Sequence, residues 1–128
     1  MLEIKPIQSK TEQEAICARC GVPYDADCMA YAAREGGELL GVAQFTIEKG
    51  EGYVKNVTNA TGVDDFEVLF LLGRAVLNFI DLCDVHTAIC AEDASTPRAI
   101  AAIGFSHTED GVLRADMTRM FGGCDGKH

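Results

Sequence analysis

Carboxylates are the side chains of this sequence whose type and placement best suit proton transfer. Glu48 and Glu51 stand on either side of a Lys-Gly pair, and Glu92 and Asp93 follow a short apolar run. A carboxylate can take a proton from an attacking group directly or through a water molecule. These four residues are therefore candidate bases, and we favour Glu51 and Glu92 as the catalytic residues.

Histidine and cysteine offer alternative chemistries. His86 and His107 can titrate near neutral pH, but we expect His86 to end a long helix and His107 to lie in a hairpin. Cys90 could supply a thiol nucleophile, although its apolar neighbours favour a buried, inert thiol. Ordinary structural positions are thus favoured for these residues over catalytic ones.

The six cysteines raise the question of a metal site. Cys17 and Cys20 form a CxxC, and Cys124 stands four residues before His128, so a zinc site would have to join these groups. The CxxC falls inside an expected helix, and no second CxxC follows it. We therefore predict no metal, and we expect reduced cysteines that act mainly as small apolar residues.

Length and charge limit the classes of function. The 128 residues fit one domain, residues 1–128, and the net charge of −9 disfavours nucleic acid as a partner. An amine or cationic substrate is more compatible with this charge. No apolar run is long enough to span a membrane, and the N-terminus lacks an apolar signal core, so a cytoplasmic protein is expected.

Hydrophobic periodicity and turn residues predict the elements that position the candidate residues. In the first half, the pattern predicts a strand near residues 2–7 and then a helix. Ser9 or Thr11 is expected to cap this helix, which should end by Cys20. Three antiparallel strands joined by tight turns follow at residues 28–34, 39–48 and 53–58.

The second half begins with a long amphipathic helix. Its apolar stripe comprises Phe66, Leu69, Phe70, Gly73, Val76, Leu77 and Ile80. Gly73 is expected to let this helix approach the sheet, and a short strand at 87–91 should run parallel to strand 53–58. Thr96-Pro97 then starts another helix, and a hairpin at 109–111 leads into a return strand at 112–120.

The resulting order, β-α-β-β-β-α-β-α-β-β, resembles the GNAT superfamily of acyl-CoA-dependent N-acyltransferases. Three features carry this resemblance over nearly the whole chain. They are the meander of residues 28–58, the strand-loop-helix of residues 53–80, and the short strand with a helix that ends Ala-Ile-Ala-Ala-Ile-Gly-Phe at 99–105. The resemblance implies an α+β fold with a GNAT-like mixed sheet, in which one parallel strand pair splays apart.

The resemblance also implies acetyl-CoA or another acyl-CoA as co-substrate, held in the gap between the splayed strands. Its pantetheine amides would pair with the backbone edge of Asn56, Val57 and Thr58. Its pyrophosphate would rest on N–H groups of the following turn and helix N-terminus. The residues of this turn are Thr61, Gly62, Val63, Asp64 and Asp65, and Arg98 is a further candidate to meet phosphate charge.

This turn departs from the family's Gln/Arg-x-x-Gly-x-Gly/Ala loop, because only Gly62 supplies a permissive backbone. Asp64 and Glu67 have the spacing of a capping box, which would occupy N–H groups that a pyrophosphate needs. A phosphate loop and a self-capped helix both remain open. The tyrosine that often protonates the leaving thiolate is also missing, since Ile100 stands at the corresponding part of the helix.

We therefore expect an acyltransferase that moves an acetyl or other acyl group from acyl-CoA to a small amine by direct transfer. The alternative is a GNAT-like binding or sensory module without catalytic activity. The expected partner is a small-molecule amine rather than nucleic acid or a membrane, and a homodimer is an open alternative to a monomer.

Overall fold

The computed structural model describes residues 1–121 of the chain. The strands are β1 (Leu2–Pro6), β2 (Met29–Glu35), β3 (Glu38–Glu48), β4 (Glu51–Asn59), β5 (Thr87–Cys90), β6 (Ser106–His107) and β7 (Leu113–Asp116). The helices are α1 (Lys10–Arg19), α2 (Phe66–Leu82), α3 (Pro97–Ile103) and α4 (Met117–Met120). None of the helices within the described residues is long and apolar enough to cross a membrane.

All seven strands form one mixed sheet in the order β1-β2-β3-β4-β5-β7-β6. Strands β4 and β5 are parallel, with Gly52 opposite Ala88 and Val54 opposite Cys90. The other neighbouring pairs are antiparallel. The predicted α+β fold class and its parallel strand pair are confirmed. Strands β4 and β5 are parallel because the crossover through α2 brings the chain back to the sheet in the same direction.

Two apolar clusters hold the helices to the sheet. Leu72, Val76 and Ile80 of α2 lie in one cluster with the inward residues of β3, β4 and β5 and with α3. Ile16 and Cys17 of α1 lie in a second cluster with residues of β2 and β3. Burial of these side chains supplies the main stabilisation of the fold.

Helix α2 begins one residue later than its sequence pattern indicates. The N-cap is Asp65, whose carboxylate accepts from Val68 N–H at 3.2 Å, so the predicted cap at Asp64 is wrong. The capping box of Asp64 and Glu67 is therefore absent. Leu69 is 5% exposed as expected of the stripe, whereas Phe66 and Phe70 are only partly buried.

Three other boundaries and contacts differ from the sequence expectation. Gly73 permits the close approach of α3 rather than of the sheet, because a Cβ there would lie 2.3 Å from Ile103 Cδ1. The turn after β3 contains Lys49 and Gly50, both at positive φ, so Glu51 already belongs to β4. The return strand ends at Asp116, which caps α4 through Thr118 N–H.

Candidate functional site

A gap opens in the sheet where β4 and β5 part. Their pairing covers only residues 52–54 of β4, while β4 itself continues to Asn59. The β3–β4 register also shifts here, because Phe45 pairs with Val54 and Gln44 with Asn56, leaving Lys55 as an extra residue. Such a bulge increases local twist and re-aims side chains, so β4 turns away from β5 beyond this point.

Two adjoining cavities, each of about 270 Å³, line this gap. The α1-side cavity is bounded by Val22, Pro23, Tyr53, Lys55, Asn56, Thr58, Ala91 and Asp93. The α2-side cavity is bounded by Val57, Thr58, Asn59, Leu69, Asp93, Ala94, Ser95 and Thr96. Since both contain Thr58 and Asp93, they are two halves of one cleft along β4.

The segment between β5 and α3 closes part of this cleft. Val57 N–H, on the edge of β4 that faces away from β3, donates to Ala94 O at 2.7 Å. A ligand that pairs with this N–H must therefore displace the Ala94 carbonyl. Next to it, the Ser95 hydroxyl oxygen is buried and has no hydrogen-bond partner among the described residues.

The turn between β4 and α2 satisfies some of its N–H groups internally. Thr61 N–H donates to Arg19 O and Val63 N–H to Ala60 O, both at 2.9 Å. Asp65 N–H donates to the Asn59 side chain at 3.1 Å. Four other N–H groups find no acceptor among residues 1–121, namely those of Gly62, Asp64, Phe66 and Glu67. The turn is thus a capped helix start that still presents several free donors.

Arg98 lies next to this turn. Its guanidinium carbon is 3.8 Å from the centre of the Phe66 ring, at the first residue of α2. A cation over an aromatic face is held there by the ring quadrupole. One positive charge therefore accompanies the exposed carboxylates of Asp64 and Glu67 at the helix N-terminus.

The candidate bases are distributed over three separate places. Glu48 ends β3 and Glu51 begins β4, and the two border one cavity, where Glu51 pairs with Arg114 at 3.1 Å. Glu92 pairs with His107 at 2.8 Å beside another cavity. The structure thus does not bring Glu51 and Glu92 together, and of the four candidate carboxylates it is Asp93 that borders the β4–β5 cleft.

Some residues at the cleft carry no recognisable signal in the sequence. Lys55 borders the α1-side cavity, and its Nζ lies 2.9 Å from Asp25 Oδ2. The Lys55 ammonium, followed by the Asp27 N–H, lowers the pKa of Asp25, and Asp25 in turn raises the pKa of Lys55. Beneath them, Gln13 and Gln44 are almost fully buried. Only the bulge and the loop between α1 and β2 bring these groups together.

Four of the five cysteines within the described residues are buried, and Cys83 is exposed. Burial raises the pKa of Cys90 to about 11, so its thiol stays protonated at neutral pH. Burial likewise raises the pKa of Cys20 to about 11. No group of three His, Cys, Asp or Glu residues in the described part of the chain could hold a metal ion. Cys124 and His128 lie outside the described residues.

No protein-family description and no curated protein sequence matches the chain. Solved structures do match it. The ribosomal-protein-S18-alanine N-acetyltransferase of Escherichia coli superposes with a TM-score of 0.69 at 14% identity, covering 91% of this chain and 94% of the other. The chain has the GNAT fold.

Two further GNAT structures extend this finding to ligand complexes. The PaiA N-acetyltransferase of Thermoplasma acidophilum, in complex with coenzyme A, has a TM-score of 0.67 at 9% identity, covering 91% and 99% of the two chains. A GNAT-family acetyltransferase of Elizabethkingia anophelis, with acetyl-CoA bound, has a TM-score of 0.67 at 13% identity, covering 90% and 97%. At such identities the shared property is the fold.

Proposed function

We propose that this GNAT-fold chain is an acyltransferase that moves an acetyl or other acyl group from acyl-CoA to a small amine. The observation that carries the proposal is the cleft where β4 and β5 part, because it combines an open strand edge with a helix N-terminus. Together its two halves have the size of a small-ligand pocket. The acyl-CoA arm would lie along β4, with Asn56, Val57 and Thr58 as its backbone partners.

The pyrophosphate would lie at the turn of residues 61–65, on the N–H groups that the chain leaves free. Gly62, at φ +87°, gives the turn its left-handed residue, and its N–H is one of those donors. Arg98 offers a positive charge beside the same turn. The carboxylates of Asp64 and Asp65 oppose a diphosphate, so we expect weak affinity at low salt compared with a glycine-rich loop.

Direct transfer requires that the amine lose a proton before or during its attack on the thioester. We propose Asp93 as the base, acting through water, since its exposed carboxylate borders both halves of the cleft. Glu51 and Glu92 stay predictions, and their carboxylates are engaged by Arg114 and His107. The acceptor would enter the α1-side cavity, where the Asp93 carboxylate suits an ammonium group.

One specific observation favours the alternative of a binding or sensory module without catalysis. The Val57 N–H already donates to Ala94 O, which takes up a position where a pantetheine amide would pair. The helix α3 also has the buried Ile100 instead of a tyrosine that could protonate the thiolate. Such a module would bind an acyl-CoA or a related ligand and report its presence.

The deciding experiment is release of free thiol from acetyl-CoA in the presence of a panel of small amines. An acyltransferase gives amine-dependent release that saturates with both substrates, whereas a binding module binds CoA without release. Asp93→Asn should lower kcat and leave the affinity for CoA nearly unchanged. Glu109→Gln, an exposed carboxylate in the distant hairpin, is the matched control and should behave as wild type. Equal rates for both variants would remove Asp93 from the mechanism.

A further inference from the structure

Three buried side-chain amides form a continuous hydrogen-bonded chain beneath the α1-side cavity. Gln13 of α1 donates to Gln44 of β3 at 3.0 Å, and Gln44 donates to Asn56 of β4 at 2.9 Å. Their exposed fractions are 2%, 0% and 7%, and they are the buried polar side chains of the described residues. Buried polar groups need hydrogen-bond partners, so each amide in this series limits the orientation of the group to which it is hydrogen-bonded.

Backbone groups fix the orientation of the central amide. Gln44 Oε1 accepts from Asp25 N–H at 3.0 Å, and Gln44 Nε2 donates to Pro23 O at 2.9 Å. A backbone N–H can only donate and a carbonyl can only accept. Exchanging the oxygen and nitrogen of Gln44 would therefore leave both backbone groups facing groups of their own kind, and the orientation is unique.

The orientation of Gln44 determines that of Asn56. Because Gln44 Nε2 is a donor, Asn56 must present Oδ1 to it. The Asn56 Nδ2 group then donates to Val42 O at 3.4 Å and to Thr58 Oγ1 at 3.2 Å. The Val42 carbonyl again allows only this arrangement, since it offers no proton.

The series of hydrogen bonds between the buried amides ends at the Thr58 hydroxyl. Thr58 Oγ1 accepts a hydrogen bond from Asn56 Nδ2, so the one proton of the Thr58 hydroxyl is left for another acceptor. Among the described residues no group accepts it. Thr58 borders both the α1-side and the α2-side cavity, at the centre of the cleft. The buried amides thus occupy one acceptor lone pair of this hydroxyl and leave its proton available to the cleft.

We propose that the Thr58 hydroxyl donates a hydrogen bond to a carbonyl oxygen of the acyl-CoA arm, and that the Gln13–Gln44–Asn56 chain fixes this polarity. The proposal rests on the proposed function for the presence of acyl-CoA in the cleft. It goes beyond backbone pairing, because it assigns a side chain a binding contact that selects a ligand with an acceptor at this point. Asn56 and Gln44 act through Thr58 and are positioning residues.

The first test compares Thr58→Val with Thr58→Ser by calorimetric titration of CoA and by acyl-transfer kinetics. Valine keeps the shape and lacks the hydroxyl, so CoA binding should weaken about three- to tenfold, the effect of losing one hydrogen bond. The KM for acetyl-CoA should rise with it while kcat stays unchanged. Serine keeps the hydroxyl and should restore wild-type affinity.

The second test reverses the polarity while keeping the Thr58 hydroxyl. In Asn56→Asp the new side chain has two acceptor oxygens, so the Thr58 proton would turn toward it and away from the cleft. CoA binding should weaken as much as in Thr58→Val, at a pH above the pKa of the introduced carboxyl. Chemical denaturation of each variant shows that the compared proteins are folded.

Wild type that binds CoA while Thr58→Val binds equally well would overturn this inference alone. Wild type that binds no CoA would overturn the proposed function and the inference together. Equal weakening in Thr58→Val and Thr58→Ser would also overturn it, since the effect would then follow from packing rather than from the donated proton.

Discussion

Substituting Gly73 by alanine tests the close packing of α2 on α3. An ideal Cβ at this position lies 2.3, 2.5 and 2.9 Å from the Cδ1, Cγ1 and Cγ2 atoms of Ile103. Carbon atoms in contact normally stay about 3.5–4.0 Å apart. Ile103 is 1% exposed, so the helices must separate or its side chain must move to another rotamer.

The expected cost follows from two opposing terms. Overpacking a filled core costs about 1–3 kcal/mol, and replacing glycine by alanine within a helix returns about 1 kcal/mol. Gly73→Ala should therefore lower the free energy of unfolding by about 0–2 kcal/mol. Urea denaturation followed by circular dichroism gives this quantity from the transition midpoint and slope.

A double-mutant cycle separates overpacking from other effects. Ile103→Ala alone should cost about 2–5 kcal/mol through the cavity it leaves. In the double variant the new methyl group enters that cavity, so the total loss should be smaller than the sum of the single losses by about 1 kcal/mol or more. A Gly73→Ala protein stabilised by about 1 kcal/mol, with additive losses in the double variant, would refute the packing argument.

Three other predictions concern stability and charge. Leu69→Ala should cost about 2–5 kcal/mol, and an unchanged denaturation midpoint would mean that its side chain is not in the core. Asp65→Ala should cost about 1 kcal/mol through loss of the N-cap, whereas asparagine at this position keeps the cap. The double variant Asp64→Asn with Asp65→Asn therefore removes the two negative charges without removing the cap. It should tighten CoA binding at low salt, and calorimetry showing weaker binding would contradict this. Hydrogen bonds that the His86 ring donates to Asp81, then to Asp84, raise the pKa of His86. The stability they confer is therefore complete below the unfolded pKa of about 6.5 and is lost as pH rises through the raised folded pKa. His86→Asn should remove this part of the pH dependence, and identical stability profiles would disprove it.

The sequence predicts most of the fold because its local signals agree with one another. Glycines mark the tight turns, the stripe around Leu69 marks α2, and Thr96-Pro97 marks the start of α3. The crossover through α2 then makes β4 and β5 parallel. These features depend on neighbouring residues and on chain direction, which a single sequence contains.

The candidate site is less predictable, because tertiary contacts create it. The bulge at Lys55 depends on how β3 and β4 pair, and nothing in the local sequence marks it. Asp64 and Asp65 are chemically equivalent as caps, and the choice between them depends on the Asn59 side chain that holds Asp65 N–H. The buried Gln44 lies in a strand pattern that offers no reason to expect a polar core residue.

The central claim is that acyl-CoA occupies the cleft along β4, and an NMR titration of the ¹⁵N-labelled protein with CoA tests it most directly. Binding there must replace the hydrogen bond from Val57 N–H to Ala94 O and engage the free N–H of Gly62. We predict that the amide signals of Val57, Thr58 and Gly62 shift together and saturate with one dissociation constant. No shift at millimolar CoA, or shifts confined to the surroundings of Glu92 and His107, would contradict the account.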